Sequence, residues 1–197
     1  EIDSNERVQI KRLEHFFETI GVPRLRAKTL QKLWNAGMKE VKDVTSASID
    51  DFTQIKGIGV KSATQHYNNI HSVMRKTRLD RFLVASTTFQ SRIGRKMVKR
   101  LVRDFPDIFF KSEKEILYFF SNNKVKGIGS RTAEKIAEGI PKFTEFLYSL
   151  NKDDVDDAIK YDSIRVEKLK KRGYNKKIEG KVFILTGFHG LTDYDLE

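Results

Sequence analysis

Apolar residues recur at three- and four-residue spacings along most of the chain. Leu30, Leu33, Trp34 and Met38 fall on one such stripe. Val98, Leu101, Val102 and Phe105 fall on another, which Pro106 then stops. The pattern predicts helices from about Arg7 to Leu150. Ser48-x-x-Asp51 and Ser112-x-x-Glu115 have the form of helix starts, with a side-chain oxygen at the cap and a carboxylate three residues on. Pro23 and Pro141 each precede a helical stripe, where a missing N–H costs nothing. After Leu150 the texture changes. Asp153, Asp154, Asp156 and Asp157 flank Val155 and predict a solvated helix face. Residues 164–181, with Arg165, Lys168, Lys170, Lys171, Arg172, Lys176, Lys177 and Lys181, read as a basic linker with room for a short helix. Val182-Phe183-Ile184-Leu185, followed by Thr186-Gly187, is the best strand candidate, and the sheet it needs is expected outside this sequence. Glu1 opens the chain and Glu197 closes it just past that strand, so both ends read as cut points in something longer.

An internal repeat organises the helical part. Ile55-Lys56-Gly57-Ile58-Gly59-Val60-Lys61-Ser62-Ala63 matches Val125-Lys126-Gly127-Ile128-Gly129-Ser130-Arg131-Thr132-Ala133, with the second glycines 70 residues apart. Half that interval lands on Gly94, inside Arg92-Ile93-Gly94-Arg95-Lys96-Met97-Val98. A step of 36 back from Gly59 lands on Pro23, inside Ile20-Gly21-Val22-Pro23-Arg24-Leu25-Arg26-Ala27. Two copies are sharp and two degenerate. The glycines permit a tight hairpin and let a phosphate approach bare backbone. The apolar residue between them (Val22, Ile58, Ile93, Ile128) is expected to pin the hairpin to the core, and the small residue four places on (Ala27, Ala63, Val98, Ala133) to let two helices pack closely. Behind each hairpin a helix N-terminus offers N–H groups and a partial positive charge to an anion. This is the pattern of a helix-hairpin-helix motif, a device for gripping the sugar–phosphate backbone.

The cations sharpen that reading. Lys61, Lys96 and Arg131 lie two residues past the second glycine position, while the first copy has Arg24 and Arg26 instead. Lys56 and Lys126 precede the first glycines, and Arg92 replaces one of them. A cation in the first turn opposes the helix dipole unless an anion docks there. The whole chain adds only a general bias: 197 residues, 38 Lys+Arg against 27 Asp+Glu and a formal charge of +11 suggest a polyanionic partner without identifying one. No Cys is present, which removes disulfides, thiolate zinc sites and Cys nucleophiles. The longest apolar run, Ile116 to Phe120, is far short of the ~20 residues that span a bilayer. No charged-then-apolar leader opens the chain, so a cytoplasmic location is expected.

Other motifs are weaker. Gly57-x-Gly59 lacks the third glycine and preceding strand of a dinucleotide fold, and Gly59-Val60-Lys61-Ser62 has the wrong spacing for a phosphate-binding loop. His15, His66, His71 and His189 show no metal-ligand spacing and are read as surface or packing residues. Trp34 and the Phe-rich helices are read as core.

The order of parts resembles the C-terminal region of bacterial and phage-type NAD-dependent DNA ligases. The residues that carry the resemblance are the fourfold repeat, Lys11-Arg12-Leu13-Glu14-His15-Phe16, Leu79-Asp80-Arg81-Phe82-Leu83, and Gly180-Lys181 through Gly187-Phe188, which looks like the first strand of a BRCT domain. The expected fold is all-α. Four tandem helix-hairpin-helix motifs form two pseudo-twofold pairs, followed by a linker and a truncated α/β, BRCT-like strand. The divisions are a lead-in at 1–10, hairpin pairs at 11–76 and 77–150, the linker at 151–180 and the BRCT start at 181–197. The resemblance implies that the segment holds nicked double-stranded DNA while the rest of the ligase chain, or a companion subunit carrying the adenylation domain, seals the nick. The candidate DNA contacts are Gly21, Arg24, Arg26, Lys56, Gly57, Gly59, Lys61, Arg92, Gly94, Arg95, Lys96, Lys126, Gly127, Gly129 and Arg131. No Lys-x-Asp-Gly occurs, so no catalytic residue, metal or cofactor is expected in this segment; NAD and zinc are implied only for the parent enzyme. Where the family has a Gly-Ile pair in its third motif, this chain has Ser86-Thr87-Thr88-Phe89. Alternatives are the DNA-binding module of another repair protein, such as an excision nuclease subunit or a BRCT adaptor, and a helix-hairpin-helix glycosylase with Asp80, 21 residues past Gly59, as its catalytic Asp.

Overall fold

Short helices with strong local start and stop signals account for the architecture. A computed structural model describes residues 4–89 and 93–171, and all regular structure among the described residues is helical. The order is α1 (Ser4–Ile20), α2 (Ala27–Asn35), α3 (Val41–Ser46), α4 (Ile49–Thr53), α5 (Val60–Met74), α6 (Leu79–Ala85), α7 (Arg95–Asp104), a 3-10 turn (Pro106–Phe110), α8 (Glu113–Asn122), α9 (Ser130–Ser149) and α10 (Lys152–Lys171). The strand expected at 181–197, and Arg92, lie outside the described residues.

The expected capping boxes form. Ser48 Oγ accepts the Asp51 N–H at 3.1 Å while the Asp51 carboxylate accepts the Ser48 N–H at 2.8 Å. Ser112 and Glu115 repeat the exchange at 3.4 and 2.8 Å. A third box, Glu40 with Asp43, starts α3; its acid-for-serine cap hid it from the sequence pattern. Pro141 does not start a helix. It lies inside α9, where it only deprives the Ala137 carbonyl of one donor. Gly21 (φ +94°) and Gly37 (φ +96°) terminate α1 and α2 in the left-handed conformation, with Val22 N–H bonded to the Phe17 carbonyl at 2.8 Å and Met38 N–H to the Leu33 carbonyl at 3.0 Å. At the end of α6 the same service falls to Thr87, a β-branched residue at φ +56°.

Helix α1 packs on α2 and α6, α4 on α5, α6 on α7 and α8 on α9. One hydrophobic cluster runs from Ile10 to Ile159. Phe16 of α1 sits at its middle, with ring centroids 5.2 Å from Phe17, 6.3 Å from Phe82 and 5.7 Å from Phe146. It thereby joins the N-terminal helices to α6 by a tilted ring contact and to α9 by the edge-on contact that aromatic quadrupoles favour. Gly139 of α9 leaves room for Phe89, whose ring would lie 2.2 Å from an added Cβ.

The segment read as a linker is, as far as Lys171, helix α10, packed on α5, α6 and α9. Val155, Ala158 and Ile159 share one buried face. The acidic stretch is not uniformly solvated either. Asp154 is wholly buried; its carboxylate meets His71 Nδ1 and takes the Arg75 Nε–H at 2.8 Å. Two turns on, Asp162 is buried beside Arg165 at 2.8 Å and accepts the Leu79 N–H at 3.4 Å. These two carboxylates fasten α10 across the junction between α5 and α6. His71 is buried and meets the Asp154 carboxylate across this junction.

Candidate nucleic-acid interface

Four helices begin differently from the rest. The N-cap residues of α2, α5, α7 and α9 are Arg26, Gly59, Gly94 and Gly129, at intervals of 33, 35 and 35 residues. All four are extended, none is capped by a side chain, and none of the helices has an acid in its first turn. By contrast, α3, α4 and α8 all carry capping boxes and first-turn acids. The first-turn N–H groups of an α-helix have no intrahelical acceptor. Here they are left with positive charge beside them.

The N-caps correct the register of the first repeat. The sequence alignment set Pro23 against Gly59, but the structural counterpart of Gly59 is Arg26, three residues later. Three consequences follow. Gly21 is the terminator of α1 rather than a hairpin glycine. Arg24 (φ +63°) occupies the left-handed position that Gly57 (φ +80°) and Gly127 (φ +81°) hold in the sharp copies. Lys28 is the residue two past the N-cap, and so stands where Lys61, Lys96 and Arg131 stand. All four of these cations are exposed. The sequence reading missed Lys28 because the first repeat has no glycine at the cap to set its register, and a 35-residue step back from Lys61 lands on Arg26 instead.

The turns before the caps are alike. Ile58 N–H closes on the Ile55 carbonyl at 2.9 Å, and Ile128 N–H on the Val125 carbonyl at 3.0 Å. Lys56-Gly57 and Lys126-Gly127 occupy the two central positions, with glycine at the site that needs positive φ. Pro23-Arg24 fills the equivalent pair in the first unit. A proline is suited to that first central position, so Pro23 builds this turn rather than spoiling it. Ile58, Ile93 and Leu25, each just before an N-cap, are buried and anchor the loops, as does the half-buried Ile128. Ala63, Val98 and Ala133 are buried four residues past the cap as expected, and Leu30 rather than the exposed Ala27 plays that part in α2.

The remaining candidates are exposed at the same places. Lys56, Gly57, Gly59, Gly94, Arg95, Lys126, Gly127 and Gly129 all face solvent at the loops or first turns. Arg26 is also exposed, paired with Glu18 at 3.0 Å, an arrangement that holds the cation loosely. Val60, immediately after Gly59, is 69% exposed. Asp80, by contrast, is buried against Arg78 at 2.8 Å in the first turn of α6, where no base in a duplex reaches it. Burial, and secondarily the nearby Lys32 ammonium, hold the His66 pKa below its usual value. Among the described residues no group of three or more His, Asp or Glu could hold a metal ion, and no helix is long and apolar enough to cross a membrane.

Helix starts with free first-turn N–H groups and a cation beside them are chemically suited to an anion. Residues 16–65, which span the first two units, match the SAM-like helix-hairpin-helix tandem family. Over those residues the chain is similar to a tandem helix-hairpin-helix domain. It is also similar to two viral proteins: a DNA ligase of Acanthamoeba polyphaga mimivirus, 26% identical over 77% of this chain, and a putative DNA ligase of Invertebrate iridescent virus 6, 29% identical over 70%. The chain spans about a quarter of the length of the first relative and a fifth of the second, 24% and 21%. No solved structure matches it.

Proposed function

We propose that the chain binds duplex DNA through backbone phosphates, without regard to sequence, as the DNA-holding region of an NAD-dependent ligase that seals nicks in replication and repair. One observation carries this reading: four helix starts bear an exposed cation at the second position and no cap or acid, while α3, α4 and α8 have both. Such a start is unfavourable until an anion docks. The four units are helix-hairpin-helix motifs paired as 11–76 and 77–150, and their loops contact DNA through Arg24, Arg26, Lys28, Lys56, Lys61, Arg95, Lys96, Lys126 and Arg131 together with the loop glycines. Arg92, before the third cap, is assigned the same role from the sequence repeat. Contacts of this kind carry no base information and fix only position along the duplex. The ligase names of the viral relatives support the enzyme class, and the BRCT start and the remainder of the enzyme belong to the same proposal.

On this reading the chain grips the duplex, and the chemistry of sealing belongs to the rest of the enzyme. The chain's own residues fit neither of the groups such an enzyme uses: the chain has no Cys and no Lys-x-Asp-Gly, and its described His, Asp and Glu do not converge on a metal position. The proposal assigns NAD and zinc to other parts of the enzyme.

The test is titration of the chain with nicked duplex at several salt concentrations. Four seats taking one or two phosphates each give a slope of log K on log salt of roughly −4 to −7. Changing Lys61 and Arg131 together to Glu should weaken binding at least about tenfold on every duplex sequence. A salt-independent affinity, or a loss confined to some sequences, contradicts backbone gripping.

A further inference from the structure

The loops do not stand alone, because three of the four unit helices meet the turn of a neighbouring unit from one fixed position. Six residues past the N-cap stand Lys32 in α2, Gln65 in α5 and Arg100 in α7. Lys32 Nζ donates to the Gly57 carbonyl at 2.8 Å, and the Arg100 guanidinium donates to the Lys126 carbonyl. In the reverse direction Gln65 accepts from the Arg24 guanidinium at 3.0 Å, and Asn69, one turn on, donates to the Pro23 carbonyl at 3.3 Å. The units of α2 and α5 thus brace each other, and that of α7 braces that of α9 in the same manner.

We propose that Lys32 and Arg100 are positioning residues for phosphate binding: each fixes the turn of the following unit in the form that presents its N–H groups to the anion, without touching the anion itself. The proposal rests on the phosphate-binding reading given above. The physical argument is one of peptide orientation. Each turn is closed by a single backbone hydrogen bond, and its central peptide has alternative orientations that interconvert turn types. In a planar trans peptide the carbonyl and the N–H point in opposite directions. A cation that draws the Lys126 carbonyl towards α7 therefore turns the Gly127 N–H outward. Lys32 holds the corresponding turn one peptide further along.

Space and charge agree with that assignment. A Cβ on Gly57 would lie 2.9 Å from Lys32 Nζ, and one on Gly127 3.5 Å from an Arg100 guanidinium nitrogen. The glycines serve the clamp as well as the positive φ. In the first unit, where Arg24 replaces glycine, the direction of donation reverses and the side chain of the turn itself reaches across. Arg100 also pairs with Asp104 at 3.5 Å, so its charge is already engaged within the fold.

Lys32→Met and Arg100→Met, singly and together, are compared with the wild-type chain on one duplex across a salt series. Amide hydrogen exchange of the DNA-free proteins is followed in parallel. Affinity should fall about three- to tenfold per substitution at every salt concentration, the worth of one such hydrogen bond. The salt slope should stay unchanged, and the Ile58 and Ile128 amides should exchange faster. Lys32→Arg and Arg100→Lys should recover most of the loss. A slope reduced by about 0.9 per substitution would make these side chains phosphate ligands and overturn the proposal. Unchanged exchange overturns it too, as does faster exchange with unchanged affinity. If the wild-type chain fails to bind duplex at all, the phosphate reading itself falls, while the exchange arm still decides whether the turns are braced.

Discussion

Single residues in this chain stand in conformations that their side chains disfavour. Arg24 and Thr87 both adopt positive φ, Arg24 where the sharp repeats use glycine and Thr87 where α1 and α2 end on glycine. For Arg24 the Gln65 contact offsets part of the cost. Thr87 has a branched Cβ, for which the left-handed region is most strained. Thr87→Gly should therefore stabilise the fold by roughly 0.5–1 kcal/mol, after allowing for the greater freedom of glycine in the unfolded chain. Thermal unfolding checks it, and a lower midpoint would show that the strain is illusory. Neither strained residue was legible beforehand, because backbone dihedrals at non-glycine positions leave no mark in composition or periodicity.

Among the elements, α10 is the one the sequence disguised. Four aspartates within five residues read as a solvated face, yet the face is divided: Asp154 points inward to His71 and Arg75, while Asp153, Asp156 and Asp157 do not reach the core. The partners that satisfy the buried carboxylate, His71 of α5 and Arg75 at its C-cap, lie 83 and 79 residues away and leave no local signal. Asp154→Asn keeps the shape but removes the carboxylate charge beside the Arg75 guanidinium. It should cost about 1–3 kcal/mol, measured as a lower urea midpoint with unchanged dependence on denaturant. The boxes at Ser48 and Ser112 and the stripe ending at Phe105 were readable because each signal lies within one helix. Pro141 misled for the complementary reason. Its local signal favours a helix start, and packing of α9 from Ala133 to Leu147 overrides it.

At the scale of the whole molecule, the repeat was legible and its register was not. Gly59, Gly94 and Gly129 announce three N-caps, whereas Arg26 looks like any basic residue until the helix is seen to begin after it. Once the register is set, the same cation recurs at Lys28, Lys61, Lys96 and Arg131, and the charge that matters is a small part of the total of +11. Each of these cations opposes a helix dipole by about 0.3–1 kcal/mol in the protein without DNA. Changing all four to Gln should raise stability by roughly 1–4 kcal/mol while greatly weakening duplex binding, with calorimetry and titration read side by side.

That opposition sets selection for robustness against selection for use. A library of this chain screened for heat resistance in the absence of DNA should drift towards acids at positions 28, 61, 96 and 131. The survivors would be better folded proteins that no longer hold anything.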